Sequence, residues 1–117
     1  MALVAAPQEG TQRARAWCFT LNNPASAEPF AWDANTMVYL IYQLEKAPTT
    51  QTNHFQGYLV WKNPQTLKKC RSLNGSVHWA IARGNARQNT DYCSKEPREA
   101  PTVVHGVMPE QGMFGRG

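Results

Sequence analysis

Two groups of side chains in this sequence have the types and spacing that chemistry needs. The first is Glu45, His54 and Gln56. If His54-Phe55-Gln56-Gly57-Tyr58-Leu59-Val60-Trp61 is an extended strand, then His54, Gln56, Tyr58 and Val60 fall on one side. Phe55, Leu59 and Trp61 fall on the other, with Gly57 as the position that carries no side chain. His54 and Gln56 then project in parallel and can reach one ion or one ligand. A hairpin through the polar connection of residues 46–53 brings Glu45 back beside His54. One imidazole nitrogen and two oxygens, with no thiolate, suit Mg²⁺ or Mn²⁺ better than a structural zinc. From spacing alone, ordinary solvated polar residues on an exposed sheet face are the commoner explanation of such a pattern.

The second group is Tyr92-Cys93-Ser94-Lys95, where three-residue spacing on a helix sets Tyr92 and Lys95 on one face. A tyrosine can be a covalent nucleophile, but a phenol holds its proton at neutral pH. It needs help to lose it, and an electrophile already activated by charge. A nearby lysine could supply positive charge. Taken alone, a tyrosine at an amphipathic position is more often part of the core.

The totals bound what can position these residues. A chain of 117 residues suits one domain that buries a core without disulfides or a structural metal. With 42% hydrophobic and 17% charged residues it belongs among globular rather than disordered or fibrous proteins. A net charge of +4 and a pI near 9.2 are compatible with a polyanionic partner without establishing one. Cys18, Cys70 and Cys93 are odd in number and scattered with no C-x-x-C pair, which indicates neither a disulfide framework nor a zinc site and fits reduced thiols. No apolar run approaches the length of a membrane span, and Met1 to Pro7 lacks the basic leader of a signal peptide, so a soluble intracellular protein is expected.

Along the chain, residues 1–14 read as a flexible arm and 107–117 as a flexible tail, with one domain over 15–106. Ala16 to Asn22 alternates Trp17, Phe19 and Leu21 with Cys18 and Thr20, a strand closed by Asn22-Asn23-Pro24. Residues 25–36 suggest a short helix or irregular turn that packs Phe30 and Trp32 inward. Met37 to Glu45 is rich in β-branched and aromatic residues and reads as a second strand, with Val38, Leu40, Tyr42 and Leu44 on one face and Gln43 and Glu45 on the other. Asn63-Pro64 is expected to end the His54 strand. A helix over Gln65 to Leu73 follows, then a strand over Val77 to Arg83. Asn85 with Gln88 three residues on is a capping box opening a helix to about Glu96, and residues 102–105 suit an edge strand. The sum is an α+β two-layer sandwich: an antiparallel sheet of about five strands with helices packed on one face, ferredoxin-like or RRM-like.

Phe19-Thr20-Leu21-Asn22-Asn23-Pro24, His54-Phe55-Gln56-Gly57 and Tyr92-Cys93-Ser94-Lys95, in this order and at these separations, resemble the three motifs of the HUH endonuclease domain. The resemblance is to the replication initiator of circular single-stranded-DNA viruses of the circovirus and nanovirus type, and it spans about residues 15–96. It implies a nickase that opens one strand at a viral origin stem-loop in the host nucleus to start rolling-circle replication. In such a site Glu45, His54 and Gln56 would hold Mn²⁺ or Mg²⁺, which polarises the scissile phosphate. Tyr92 would attack in line, leaving a 3′-hydroxyl and a 5′-phosphotyrosine that the hydroxyl can later reverse. Lys95 would position DNA or ion, or offset developing charge.

The resemblance also implies DNA contacts. Asn22 and Asn23, with Thr20 in the same motif, suit base edges, although turn formation alone would explain the asparagines. Arg15 with Arg13, and Arg83, Arg87 and Gln88, are backbone candidates. Lys69 and Arg71 with Lys68 are either phosphate contacts or a solvated helix face. Trp17 and Trp79 are stacking candidates that are more often core.

Three departures from the family pattern stand out. Gln56 takes the place of a second histidine, the helix motif has one tyrosine, and Ala80 removes a glutamate that relatives often carry after His78-Trp79. His78 is expected to be structural. Initiators usually continue into a helicase domain, and no G-x-x-x-x-G-K-[ST] phosphate loop occurs here, so oligomerisation is expected to depend on regions outside this sequence. Two rivals differ in class: a non-catalytic RRM-like single-strand binder, suggested by Gly57-Tyr58-Leu59-Val60-Trp61, and a hydrolytic nuclease in which Tyr92 is structural.

Overall fold

Period-two alternation of large apolar residues produces a sheet with two differently used faces. The computed structural model describes residues 11–110. Strands β1 (Arg13–Asn22), β2 (Met37–Lys46) and β3 (Asn53–Thr66) are followed by helix α1 (Leu67–Arg71), strand β4 (His78–Ile81), helix α2 (Ala86–Tyr92) and strand β5 (Val103–Gly106). All five strands form one antiparallel sheet in the order β4-β1-β3-β2-β5. This is the expected α+β sandwich of RRM-like kind. Most of the proposed arm and tail, residues 1–10 and 111–117, lies outside the described residues. Arg13 and Ala14, placed in the arm by the sequence, already pair with Thr66 and Gln65.

Trp17, Phe19 and Leu21 of β1, Leu40 and Tyr42 of β2, and Phe55, Leu59 and Trp61 of β3 share one face, where Leu67 and Cys70 of α1 close the main core. Phe19 lies over Gly57, its partner across the strands. A Cβ at Gly57 would meet the Phe19 ring at 2.1 Å, so only glycine leaves room for it. The ring is then gripped by Phe30 and Trp79, at centroid distances of 5.2 and 5.1 Å. Each such side chain contributes about 1.5–3 kcal/mol by leaving water. That makes β3 the most firmly anchored strand, with neighbours on both edges.

The opposite face carries Cys18, Tyr39, Ile41, Tyr58 and Val60, and α2 packs on it through Ala86, Tyr92 and Cys93. The helices therefore sit one on each face rather than together. Polarity helps hold α2 there: Asn89 is buried and accepts a 3.0 Å hydrogen bond from the Cys18 thiol of this face. Asn89 also donates to the Arg83 and Asn85 carbonyls, fixing the start of α2.

Element ends differ from the sequence reading for local reasons. β3 does not stop at Asn63-Pro64, because a bulge between Ala14 and Ala16 absorbs this segment and pairing resumes at Gln65. A proline, which has no N–H, is tolerated at such an irregularity. A second shift, between Met37 and Tyr39, moves Val38 off the Leu40–Tyr42 face and seats Met37 opposite Trp61. Helix α1 begins only at Leu67, where Thr66 caps it by accepting from the Lys69 N–H. The expected Asn85–Gln88 capping box opens α2. That helix ends at Tyr92, not near Glu96, and the Lys95 carbonyl turns instead to a side-chain donor on β2. Residues 25–36 form the irregular turn, with Phe30 buried.

Candidate functional site

Register across three strands assembles the site. Ala47 and Thr52 close the β2–β3 hairpin. It sets Glu45 opposite His54, and β1 adds Asn22 on the other side of His54. The next row on the same face is Gln43, Gln56, Thr20 and His78. Side chains two apart on each strand thus form a polar block, bounded on one flank by the end of α2.

His54 Nε2 lies 3.4 Å from Glu45 Oε1. The other carboxylate oxygen, Oε2, accepts from Lys95 Nζ at 3.0 Å and from Gln43 Nε2 at 2.6 Å. Gln56 is buried, and its Oε1 accepts from the Thr20 hydroxyl at 3.4 Å. The Lys95 ammonium also sits 4.0 Å from the centre of the Tyr92 ring and donates to the Tyr92 carbonyl. Lys95 lies beyond α2, so this contact comes from the chain folding back rather than from a shared helix face. Tyr92 is half-buried at the rim. Its position follows from α2 being held by Asn89 and by a 2.8 Å hydrogen bond between Tyr39 and Thr90.

Burial acts on the thiols and the other phenols of this face. It pushes the Cys18 thiol up to about 12, and raises Cys93 and the Tyr58 and Tyr39 phenols too. Desolvation beneath α2 thus favours their protonated forms.

Among the described residues no cluster of three or more His, Cys, Asp or Glu is placed to hold a metal. The amide of Gln56, in the row next to the Glu45–His54 pair, is the further protein oxygen at hand. The donor set fits a hard dication: a carboxylate oxygen facing an imidazole nitrogen, and an amide oxygen in the adjacent row, with no sulfur.

The suggested DNA contacts divide. Asn22 and Asn23 are exposed and border a hollow of about 230 Å³ with Pro24, Asn74 and Ser76. Asn23 also holds the turn, with φ of 50° and its N–H on the Asn53 carbonyl. Arg83 and Arg87 are exposed on the α2 side of the sheet. Gln88 is exposed, but its amide oxygen caps the Asn85 N–H. Arg15 donates to the Lys62 carbonyl.

Trp17 is not a stacking residue. It is 0% exposed in the main core, its indole N–H on the Ala14 carbonyl, and Trp79 is buried in the same core against Phe19. Lys69 and Arg71 ride on α1, behind the sheet from the site, with Lys69 over the Trp61 ring. His78 is exposed next to Thr20, outside the Glu45–His54 pair.

Sequence reasoning passed over Gln43, placing it on the correct face without a role. Its signal was parity with Glu45. Only the fold brings Lys95 and Thr102 to it.

Comparison with known proteins follows the same stretch. The family model described as "Putative viral replication protein" matches residues 14–96. The Para-Rep C2 of Milk vetch dwarf C2 alphasatellite is 39% identical over 85 residues, covering 68% of this chain and 30% of that protein. The replication-associated protein of Pigeon circovirus is 36% identical over 100 residues, covering 78% and 31%. The master replication protein of Faba bean necrotic yellows virus is 38% identical over 80 residues, covering 68% and 27%. The chain thus spans about a third of the length of these relatives.

Proposed function

The chain belongs to the viral replication protein family, and on that premise we propose that it is a metal-dependent endonuclease and strand transferase acting on single-stranded DNA at a viral origin to initiate rolling-circle replication. The observation that carries the reading is the position of Lys95. One ammonium touches both the Glu45 carboxylate and the Tyr92 ring, and so joins a metal-ligating pair to a phenol.

Glu45, His54 and Gln56 would hold Mn²⁺ or Mg²⁺, which when bound supplies Lewis-acid polarisation of the scissile phosphate. The phenol oxygen of Tyr92, once deprotonated, attacks phosphorus. The bond from phosphorus to the 3′ oxygen breaks, the departing oxygen takes up a proton, and the 5′ phosphate remains on Tyr92. Because a phosphodiester is exchanged and not hydrolysed, the 3′-hydroxyl can attack the phosphotyrosine and restore the strand. Lys95 offsets the charge that grows on the phosphoryl oxygens. Asn22 and Asn23 present amides to bases lying in the hollow beside them, and Arg83 and Arg87 meet the backbone.

The RRM-like binder finds no support in the sheet. Such modules stack bases on aromatics of the central strands. Here Trp17, Phe19, Phe55, Tyr58 and Trp61 of β1 and β3 are all buried.

The test is to incubate the protein with an origin-type stem-loop oligonucleotide and Mn²⁺ and to look for an adduct that survives denaturation. Tyr92→Phe is expected to bind the oligonucleotide and form none. An adduct retained by that variant refutes the nucleophile. Free 5′-phosphate products without an adduct would favour hydrolysis by water.

A further inference from the structure

Gln43 is 1% exposed, yet every polar atom of its side chain is used. Its amide nitrogen donates to Glu45 Oε2 at 2.6 Å and to the Lys95 carbonyl at 2.8 Å, and its amide oxygen accepts from the Thr102 hydroxyl at 3.0 Å. The orientation of the amide follows from its neighbours. A carboxylate and a carbonyl both accept, so only the NH₂ can face them, and the one hydroxyl donor meets the oxygen.

Three separate pieces of chain converge on this residue: β2, the segment after α2, and the approach to β5. We propose that Gln43 is a positioning residue that locks the Glu45 carboxylate and the Tyr92–Lys95 segment into one rigid unit. Its effect on Glu45 is directional. With Oε2 held by Gln43 and Lys95, the carboxylate is turned so that Oε1 stands beside His54 Nε2. Its effect on the nucleophile segment runs through the backbone. Drawing the Lys95 carbonyl onto the sheet ends α2 and folds Lys95 back toward Tyr92 and Glu45. Burial makes the clamp stiff, since a donor lost here leaves acceptors unpaired away from water.

The inference rests on the metal-dependent reading for its first consequence only, so two measurements are paired. Mn²⁺ affinity of the DNA-free protein is measured by calorimetry for the wild type, Gln43→Met and Thr102→Val. Hydrogen exchange of backbone amides at residues 94–99 is followed without metal. Methionine keeps the volume and removes every hydrogen bond. Valine at 102 removes only the anchor of the amide oxygen, which keeps the test alive if the methionine variant does not fold.

Gln43→Met is expected to weaken Mn²⁺ binding about tenfold, as loss of a group that orients a metal ligand does. It is also expected to speed exchange at residues 94–99 while β1 and β3 stay protected. Thr102→Val is expected to change both in the same direction and by less. Wild-type Mn²⁺ affinity and wild-type exchange in a folded variant overturn the clamp. A wild type that binds neither Mn²⁺ nor Mg²⁺ refutes the metal reading instead, and the clamp then stands or falls on the exchange.

Discussion

Replacing Lys95 by methionine should move metal affinity and reaction rate in opposite directions. The ammonium rests on Glu45 Oε2 at 3.0 Å and over the Tyr92 ring at 4.0 Å, while the lysine side chain remains 41% exposed. An ion pair of that exposure is worth only about 0.2–1 kcal/mol after screening, and the ring contact about 0.5–1 kcal/mol. The fold should therefore lose about 1–2 kcal/mol and remain intact. Glu45, freed of a competing cation worth about 0.2–1 kcal/mol, should bind Mn²⁺ about 1.4- to fivefold more tightly. If Lys95 offsets charge in the transition state, adduct formation at saturating Mn²⁺ should nonetheless slow about 100-fold. Calorimetric Mn²⁺ titration and single-turnover adduct formation on one preparation read both effects, with Lys95→Arg as the charge-keeping control. A parallel fall in affinity and rate would mean that Lys95 acts by holding Glu45 and the fold in place and not as a competing cation, and would refute the argument.

Three further outcomes follow from separate parts of the molecule. Gly57→Ala should destabilise by about 1–3 kcal/mol in urea unfolding, because its Cβ drives into the Phe19 ring. A Phe19→Leu background should recover part of that loss, and a neutral Gly57→Ala would contradict the packing described. Gln56→Ala should raise the Mn²⁺ concentration needed for half-maximal adduct formation, and an unchanged titration removes Gln56 from the ligand set. Stability should fall in alkali. Burial lifts the Cys18 and Cys70 thiols from 9.0 to about 12, so between those values the unfolded chain gives up protons that the folded one keeps. That contribution is fully present below pH 9 and is lost as pH rises toward 12. A flat urea midpoint between pH 8 and 11, or one no less steep in Cys18→Ala, would count against burial of these thiols.

Period-two patterning made β1, β2 and β3 readable, because a strand with one buried face repeats every second residue whatever its partners. It also placed His54 with Gln56, and Glu45 beside them, since a short hairpin leaves little choice of pairing. Composition and local preference could not say on which side of the sheet α2 would lie. That was settled by Asn89, a polar residue that must find a buried partner and finds it in Cys18, 71 positions away. The same blindness to distance explains Trp17. An aromatic on a strand reads alike whether it stacks on a base or fills the core, and only the layer above it decides. Nor could charge alone say that Lys69 and Arg71 would ride on a helix across the sheet from Glu45 and His54.

What the sequence determined by itself was the inventory and the local order: the strands, the capped start of α2, a histidine and a glutamine in parallel, and a tyrosine followed by a lysine. What only the tertiary structure decided was convergence. Lys95 reaches Glu45 across 50 positions and Gln43 binds Thr102 across 59. Such contacts carry no local signature, because they depend on how layers pack and not on any spacing along the chain. A carboxylate, an imidazole and a phenol become one site only when the sheet register and the seat of α2 are both in place.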